Sequence, residues 1–386
     1  MRGSRSMGTL FDAGKHGPRG VQCVSCCSQA GRHADACQAV PRAEHRFLRG
    51  NIAMRAWFID DKDDSGTLVL HDIKAPKPGP DEVLVDVRAI GINRADILQR
   101  QGAYPPPAGF DPQRPGLEYA GEIAAVGKRV TGRKVGDAVM GLIGGGAYAE
   151  QIVVHERETM SLPAHYDYAY AAAVPEAFLT AYRGLFLEGG LAPGQWALVR
   201  GATSGVGVAA LQLIAALGSR SIATSRAQER LDELAARFKS LGLGPAFDLG
   251  AVDGDNGVSE RVRQQTGGAH VVLDFVGASA LEDNLAALRD EGRQVQIGIM
   301  GGAKTELNMG TLLMRRLSLV AMTMRSLPLE RRIGMARLFD DRLRPLFEAG
   351  RLRPMVDRSM DFAQANEAHA AMESGSHLGK IVLVRQ

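Results

Sequence analysis

Six residues, Ala202-Thr203-Ser204-Gly205-Val206-Gly207, carry the clearest chemistry in this 386-residue chain. They follow a strand-like Trp196-Ala197-Leu198-Val199-Arg200 and open an apolar helix over Val208–Leu217, which Gly218 stops. A strand, a turn of small residues and a helix start present backbone N–H groups and a positive dipole end to a pyrophosphate. Glycine serves there because a Cβ would hold the phosphates off the backbone. The spacing G-x-G-x-x-G is met only in part: Ala202 and Ser204 replace the first two glycines, and Gly207 keeps the third. Taken alone, the turn also suits a tight strand-to-helix connection with no ligand.

A second strand, Ser219–Thr224, ends about twenty residues beyond the turn, where an NAD site needs an acid for the ribose 2′-hydroxyl. The residues there are Thr224-Ser225-Arg226, with Arg230 one helical turn on. A guanidinium and a hydroxyl suit a 2′-phosphate, whose oxygens accept bidentate bonds. The expected cofactor is therefore NADPH rather than NADH. Glu229 works against the local positive field, and Arg226 and Arg230 also fit ordinary solvated charges at a helix start.

Holding such a turn takes a parallel sheet. From about Pro175 to Thr323 strand and helix patterns alternate, which predicts a doubly wound parallel sheet in an α/β protein. Its strands are expected at Ala197–Val199, Ser221–Thr224, Ala246–Leu249, Val271–Phe275, Gln294–Ile297 and Ser318–Thr323. The last of these is apolar and lies at the sheet edge in this topology. Pairing with a second copy is expected there, a covering helix being the alternative.

From Met54 to about Val174 short strands are punctuated by Gly and Pro, as in a barrel-like all-β module. Glu82–Ile90 alternates as a half-buried strand, Asn93–Gln101 is a short helix with Asn93 placed as its cap, and Ala103–Pro107 is a stiff loop. Further strands are expected at Gly121–Val126, Val135–Met140 and Ala147–Val154. After the parallel sheet come a helix around Arg331–Glu348, a strand near Asp357–Asp361, an Ala-rich helix over Ala363–Glu373 and a strand over Lys380–Val384. This stretch is expected to rejoin the β module and make it discontinuous.

Composition narrows the classes. A net charge of +3 is too slight to argue for nucleic acid or membrane partners. Much of the positive charge (Arg2, Arg5, Lys15, Arg19, Arg32, Arg42, Arg46 and Arg49) stands in the first fifty residues. No run approaches the ~20 apolar residues that span a bilayer. The four cysteines, Cys23, Cys26, Cys27 and Cys37, all precede Met54. A body without cysteine suits a reducing cytoplasm. With His33 those cysteines could be sketched as a zinc site, but the segment lacks hydrophobic periodicity and reads as a disordered extension.

These residues resemble the zinc-independent quinone oxidoreductases, the zeta-crystallin-like branch of the medium-chain dehydrogenase/reductase superfamily. The resemblance runs from Met54 to the C-terminus. Its markers are Asn93-Arg94-Ala95-Asp96, Gly116-Leu117-Glu118-Tyr119-Ala120-Gly121, Gly144-Gly145-Gly146-Ala147-Tyr148-Ala149-Glu150, Pro175-Glu176-Ala177-Phe178-Leu179-Thr180-Ala181 and Gly379-Lys380-Ile381-Val382-Leu383. The resemblance implies a GroES-like β-barrel catalytic domain over residues 54–174 and 325–386, a Rossmann domain over 175–324, and a disordered extension over 1–53. Positions that hold the metal ligands of zinc-dependent relatives match Asn93, Leu117 and Glu176, too few donors for a catalytic zinc. No metal is therefore expected.

What the resemblance implies for function is an NADPH-dependent quinone reductase. Tyr104 would line the substrate pocket and donate a hydrogen bond, Ser204 would influence activity, and Asn93 and Asp96 would lie near the nicotinamide. Ser204, Gly205, Val206 and Gly207 would face the pyrophosphate; Thr224, Ser225, Arg226 and Arg230 would surround the adenosine ribose phosphate. Backbone at Gly298, Met300, Met324 and Arg325 would hold the nicotinamide amide, and Thr180 would only pack. Relatives often have a tyrosine where Leu249 stands, a hydroxyl for which Arg226 could compensate. Homodimers are usual in the family. The alternatives are an alkenal or enone reductase and a nucleotide-binding protein with little turnover.

Overall fold

The described strands form three sheets, a two-stranded pair and two larger sheets that share one core. The computed structural model describes residues 53–60, 66–253 and 257–386. The expected extension and its cysteines lie outside the described residues, apart from Ala53. Gly50–Gln386 form one compact unit.

Strands β1 (Ala53–Ile59) and β2 (Leu68–Lys74) pair antiparallel. β3 (Glu82–Gly91) buries Val83, Val85, Val87 and Ala89, the alternate residues its pattern assigns to one face. β4 (Glu118–Val126) pairs with β3 and with β5 (Ala138–Leu142). β6 (Gln151–His155) pairs with β3, and β7 (Thr159–Ser161) with β5.

The parallel sheet comprises β8 (Trp196–Val199), β9 (Arg220–Ser225), β10 (Leu249–Val252), β11 (Ala269–Asp274), β12 (Leu288–Gln296) and β13 (Ser318–Ala321). Its order is β10-β9-β8-β11-β12-β13, and every neighbouring pair is parallel. β8 and β11 are almost wholly buried, as strands covered on both faces must be. Finally β14 (Val356–Asp361) and β15 (Lys380–Val384) return to the sheet of β3, where β15 pairs with β3 and β14 with β15.

Among the helices, α1 (Arg94–Arg100) follows β3, and α2 (Tyr168–Ala172) and α3 (Pro175–Tyr182) lead into the parallel sheet. α4 (Gly205–Ala216) leaves the phosphate-type turn and α5 (Gln228–Ser240) follows β9. α4 is apolar all round and buried from Gly207 to Ile214 because α3 covers the face turned away from the sheet. One core cluster takes Ala120 and Met140 from the antiparallel sheet of β3, Phe178 and Leu179 from α3, and Val199 and Leu273 from the parallel sheet. The two sheets are thus held by shared apolar burial.

Two expectations change. The third parallel strand lies at Leu249–Val252, not Ala246–Leu249, because the Asp248 carboxylate accepts the Ser221 N–H at 2.8 Å and begins the pairing only afterwards. The edge strand stops at Ala321 rather than Thr323. Asn93 occupies the cap position of α1 as expected, and the Asp96 carboxylate closes the capping box by taking the Asn93 N–H at 2.9 Å.

Candidate active site

The turn after β8 is built as its spacing demands. Ser204 caps α4, its Oγ accepting the Gly207 N–H at 3.0 Å. A Cβ on Gly207 would sit 2.5 Å from the Gly201 carbonyl and 2.7 Å from the Ala202 Cα, so only glycine lets the helix approach the strand. The remaining first-turn amides have no intrahelical acceptor, as at any helix start. They offer donors to an anion.

That turn is tied directly to the other sheet. The Gly379 N–H donates to the Thr203 carbonyl at 3.0 Å, and Ser204 and Gly379 form a parallel bridge. The next residue, Lys380, lies against Gly205, whose Cβ would fall 2.6 Å from the Lys380 Cδ. Its buried ammonium then donates to the Ile92 carbonyl at 2.9 Å, to Asn93 Oδ1 at 2.7 Å and to Glu118 Oε1. Asn93 Nδ2 donates to the same Glu118 oxygen at 2.8 Å. Glu118 Oε2 accepts the Glu176 backbone N–H at 2.8 Å. Lys380 and Glu118 thus form an ion pair almost shut off from water.

Two further acids stand beside it. Asp96 is fully buried; its Oδ2 accepts from Asn93 and from the Tyr148 hydroxyl at 3.2 Å, while Oδ1 has no partner. Burial pushes Asp96 up to about 6, opposed by the Asn93 N–H and by Lys380. Tyr148 is 3.0 Å from His369 Nε2, and His369 Nδ1 is 3.5 Å from Arg100. Arg100 can only donate, so Nδ1 accepts and Nε2 carries the hydrogen. Tyr148 is left to donate to Asp96. Glu176, in the first turn of α3, is pushed up to about 7 by burial and then by Glu118. Its Oε1 accepts from the Thr180 hydroxyl at 3.2 Å and its buried Oε2 has no partner.

Tyr104 is half-buried. Burial, aided by Glu176, raises its hydroxyl above the usual range. The Arg325 guanidinium lies 5.3 Å from the centre of its ring. Arg325 is itself buried and donates to the Gly144 carbonyl at 2.7 Å, to the Tyr104 carbonyl at 2.9 Å and to Gln99 Oε1. Its side chain therefore clamps the Tyr104 loop to the segment after β13. Met324 is buried beside it, whereas Ile299 and Met300 are exposed.

The residues expected around the adenosine ribose have other partners here. Thr224 is fully buried, with its hydroxyl donating to Asp253 Oδ2 at 3.0 Å. Exposed Arg226 donates to the Gly375 carbonyl at 3.2 Å, and Arg230 to the carbonyls of Ser376 and His377 and to Glu233. Asp253 also pairs with buried Arg200 at 2.6 Å. An acid therefore stands near this end of the site after all, reached from β10 rather than from β9.

Asn93, Asp96 and Glu176 come together, Tyr104 faces them through Arg325, and Ser204 joins them through Lys380. Sequence reasoning missed the roles of Glu118, Lys380, Tyr148 and His369, and gave Thr180 no polar one. A signal existed: Glu118 and Lys380 are charges at the starts of apolar strands, and buried charges require partners.

Against known proteins, the alcohol dehydrogenase GroES-like domain profile matches residues 79–164 and the zinc-binding dehydrogenase profile residues 249–383. The synaptic vesicle membrane protein VAT-1 homolog of Rattus norvegicus is 30% identical over 325 residues, 80% of this chain and 78% of its own. The chain belongs to the zeta-crystallin-like branch of the medium-chain dehydrogenase/reductase superfamily. The quinone oxidoreductase of Pseudomonas syringae pv. Tomato DC3000 superposes with a TM-score of 0.74 at 28% identity, over 86% of this chain and 100% of its own. An NAD-dependent alcohol dehydrogenase gives 0.74 at 30% identity, over 86% and 99%. The chain is thus an oxidoreductase of this superfamily, whose domains imply a nicotinamide nucleotide. Among the described residues no helix is long and apolar enough to cross a membrane.

Zinc, which the second profile's description implies, does not fit the donors present. Leu117 offers no ligand atom, and the Lys380 ammonium already occupies Asn93 Oδ1 and Glu118 Oε1. Among the described residues no group of three His, Cys, Asp or Glu is placed to hold a metal ion.

Removing Lys380 leaves the Glu118 charge buried and unpaired. Lys380→Met is expected to lower unfolding free energy by ~3–5 kcal/mol in urea titrations, and adding Glu118→Gln to recover much of the loss. A single-variant loss below about 1 kcal/mol would remove the ion pair from its structural role.

Proposed function

We propose that the chain is an NADPH-dependent quinone reductase that works without a metal ion, in the cytoplasm, as a homodimer. The observation that carries the reading is the meeting of the phosphate-type turn with Asn93, Glu118 and Lys380, where an ammonium takes the oxygens that a metal ion would need. A site without a Lewis acid suits an acceptor that needs little activation, and a flat, electrophilic quinone is one. The similarity to a solved quinone oxidoreductase supports the same choice.

NADPH, when bound, supplies hydride. The residues that would hold it are Ser204, Gly205, Val206 and Gly207 at the pyrophosphate and Thr224, Ser225, Arg226 and Arg230 at the adenosine ribose phosphate. Gly298, Met300, Met324 and Arg325 would stand at the nicotinamide. The chain's own contribution is to orient the ring against Asn93, to exclude water with the clamped Tyr104 loop, and to offer the Tyr104 hydroxyl to an acceptor carbonyl. Among the ribose residues, Arg226 has the most freedom to turn to a phosphate, since a single backbone bond holds it.

Following NADPH absorbance against quinone and enone panels is expected to show quinone reduction that survives chelation. Turnover of enones alone, or activity lost on chelation and restored by zinc, would contradict the reading. Arg226→Ala is expected to weaken NADPH by ~10–100-fold, the worth of a charged hydrogen bond, and to leave NADH nearly unchanged. Equal losses for both coenzymes in a kinetic titration would remove that role.

Support for the homodimer reading comes from the edge strand β13, whose Leu319 is exposed, and from Leu313 and Met314, exposed on the helix Met309–Arg315 before it. Sedimentation at micromolar concentration is expected to show a dimer that Leu319→Lys dissociates. A wild-type monomer would refute the pairing.

A further inference from the structure

We infer that Glu176 is the proton donor of this site: a neutral carboxylic acid whose Oε2–H protonates the acceptor oxygen as hydride arrives. The inference rests on the quinone reductase reading and adds to it the residue that completes the chemistry. A quinone takes a hydride and one proton to become a hydroquinone. The carbon–hydrogen bond of the dihydronicotinamide breaks with its electron pair moving to the quinone, leaving the coenzyme oxidised. The O–H bond of Glu176 breaks and one forms on the quinone oxygen. Glu176 is left as a carboxylate, which solvent reprotonates, and the sum is NADPH, a proton and a quinone giving oxidised coenzyme and hydroquinone.

Geometry singles out Glu176 among the acids. Both oxygens of Glu118 are filled, Oε1 by Lys380 and Asn93 and Oε2 by the Glu176 backbone. Asp96 also keeps one oxygen without a partner, but it is fully buried and its other oxygen takes two donors. Glu176 is partly exposed as a residue, where Asp96 is enclosed on every side. It takes one side-chain hydrogen bond, from Thr180, and keeps the buried Oε2 free. The neighbouring cation does not reach it, for Lys380 donates to Ile92, Asn93 and Glu118.

The groups acting on Glu176 come from every side. Glu118 on β4 and Asp96 on α1 oppose its ionisation, while Lys380 on β15 and the Thr180 hydroxyl on α3 favour it. Tyr104 and Arg325 interact with it from the clamped loop and from the segment after β13. Arg325 is committed to Gly144, Tyr104 and Gln99. The start of α3 also favours the anion, so burial beside Glu118 is what holds the proton on. The balance falls at about 7. Glu176 must be protonated to act, so the rate is expected to be flat in acid and to fall as pH rises through that value.

The test reads protonation and turnover separately on the full chain. Infrared difference spectra without coenzyme are expected to show a protonated carboxyl stretch that fades as pH rises through about 7 and is missing in Glu176→Gln. With NADPH and a quinone, Glu176→Gln is expected to lower kcat by ~10²–10⁴-fold and abolish the descending limb, while calorimetry shows NADPH still bound. Thr180→Val removes a bond that favours the anion and is expected to move the limb to higher pH. It also serves if Glu176→Gln does not fold. An ionised Glu176 well below pH 7, or a variant that keeps wild-type kcat and limb, overturns the inference and leaves the reductase reading intact. A wild type that shows the stretch but reduces no quinone overturns that reading, and with it the destination of the proton.

Discussion

The buried ion pair between Lys380 and Glu118 is the constraint on which the rest of the site depends. Desolvating both charges is costly, and the pair is tolerable only because each is also hydrogen-bonded, Lys380 to Ile92 and Asn93, Glu118 to Asn93 and Glu176. Those bonds draw α1, α3, β4 and β15 to one point. Because Lys380 lies against Gly205 and Gly379 bridges Ser204, the same point holds the phosphate-type turn. One lysine thereby places the helix start that suits a pyrophosphate beside the acids that suit proton chemistry.

Charge bookkeeping explains the different behaviour of three neighbouring carboxyls. Glu118 has a cation at bonding distance, while Asp96 has two donors but full burial. Glu176 has one hydroxyl and an anionic neighbour. Acids separated by environment in this way can divide structural and chemical work. The Arg325 clamp is the equivalent device for the Tyr104 loop: a rigid guanidinium directs its donors to two carbonyls and an amide oxygen and so holds the loop in place.

What was legible in the sequence was local or periodic. The strand, small-residue turn and helix at Trp196–Leu217 could be read because period, turn chemistry and helix stop agree within twenty-odd residues. The alternation of β3 and the six strands of the parallel sheet were visible for the same reason, though the third was displaced because Asp248 bonds to Ser221. The ion pair was not legible, since it joins residues 262 apart in the chain. The cap position of Asn93 was legible because Asn caps helices, but the buried ammonium that also meets its oxygen was not. Arg226 and Arg230 were read as partners of a 2′-phosphate, and their bonds to backbone carbonyls were not legible for the same local reason. Which carbonyls they meet depends on how the chain returns at Gly375–His377.

The most direct measurement is a crystal structure of the full chain grown with NADPH, with an anomalous map recorded at the zinc edge. The account predicts the pyrophosphate on the backbone amides at the start of α4, the nicotinamide ring beside Asn93 and Glu176, and no metal among Asn93, Glu118 and Glu176. A zinc peak at those residues, or a dinucleotide bound away from that turn, would contradict it.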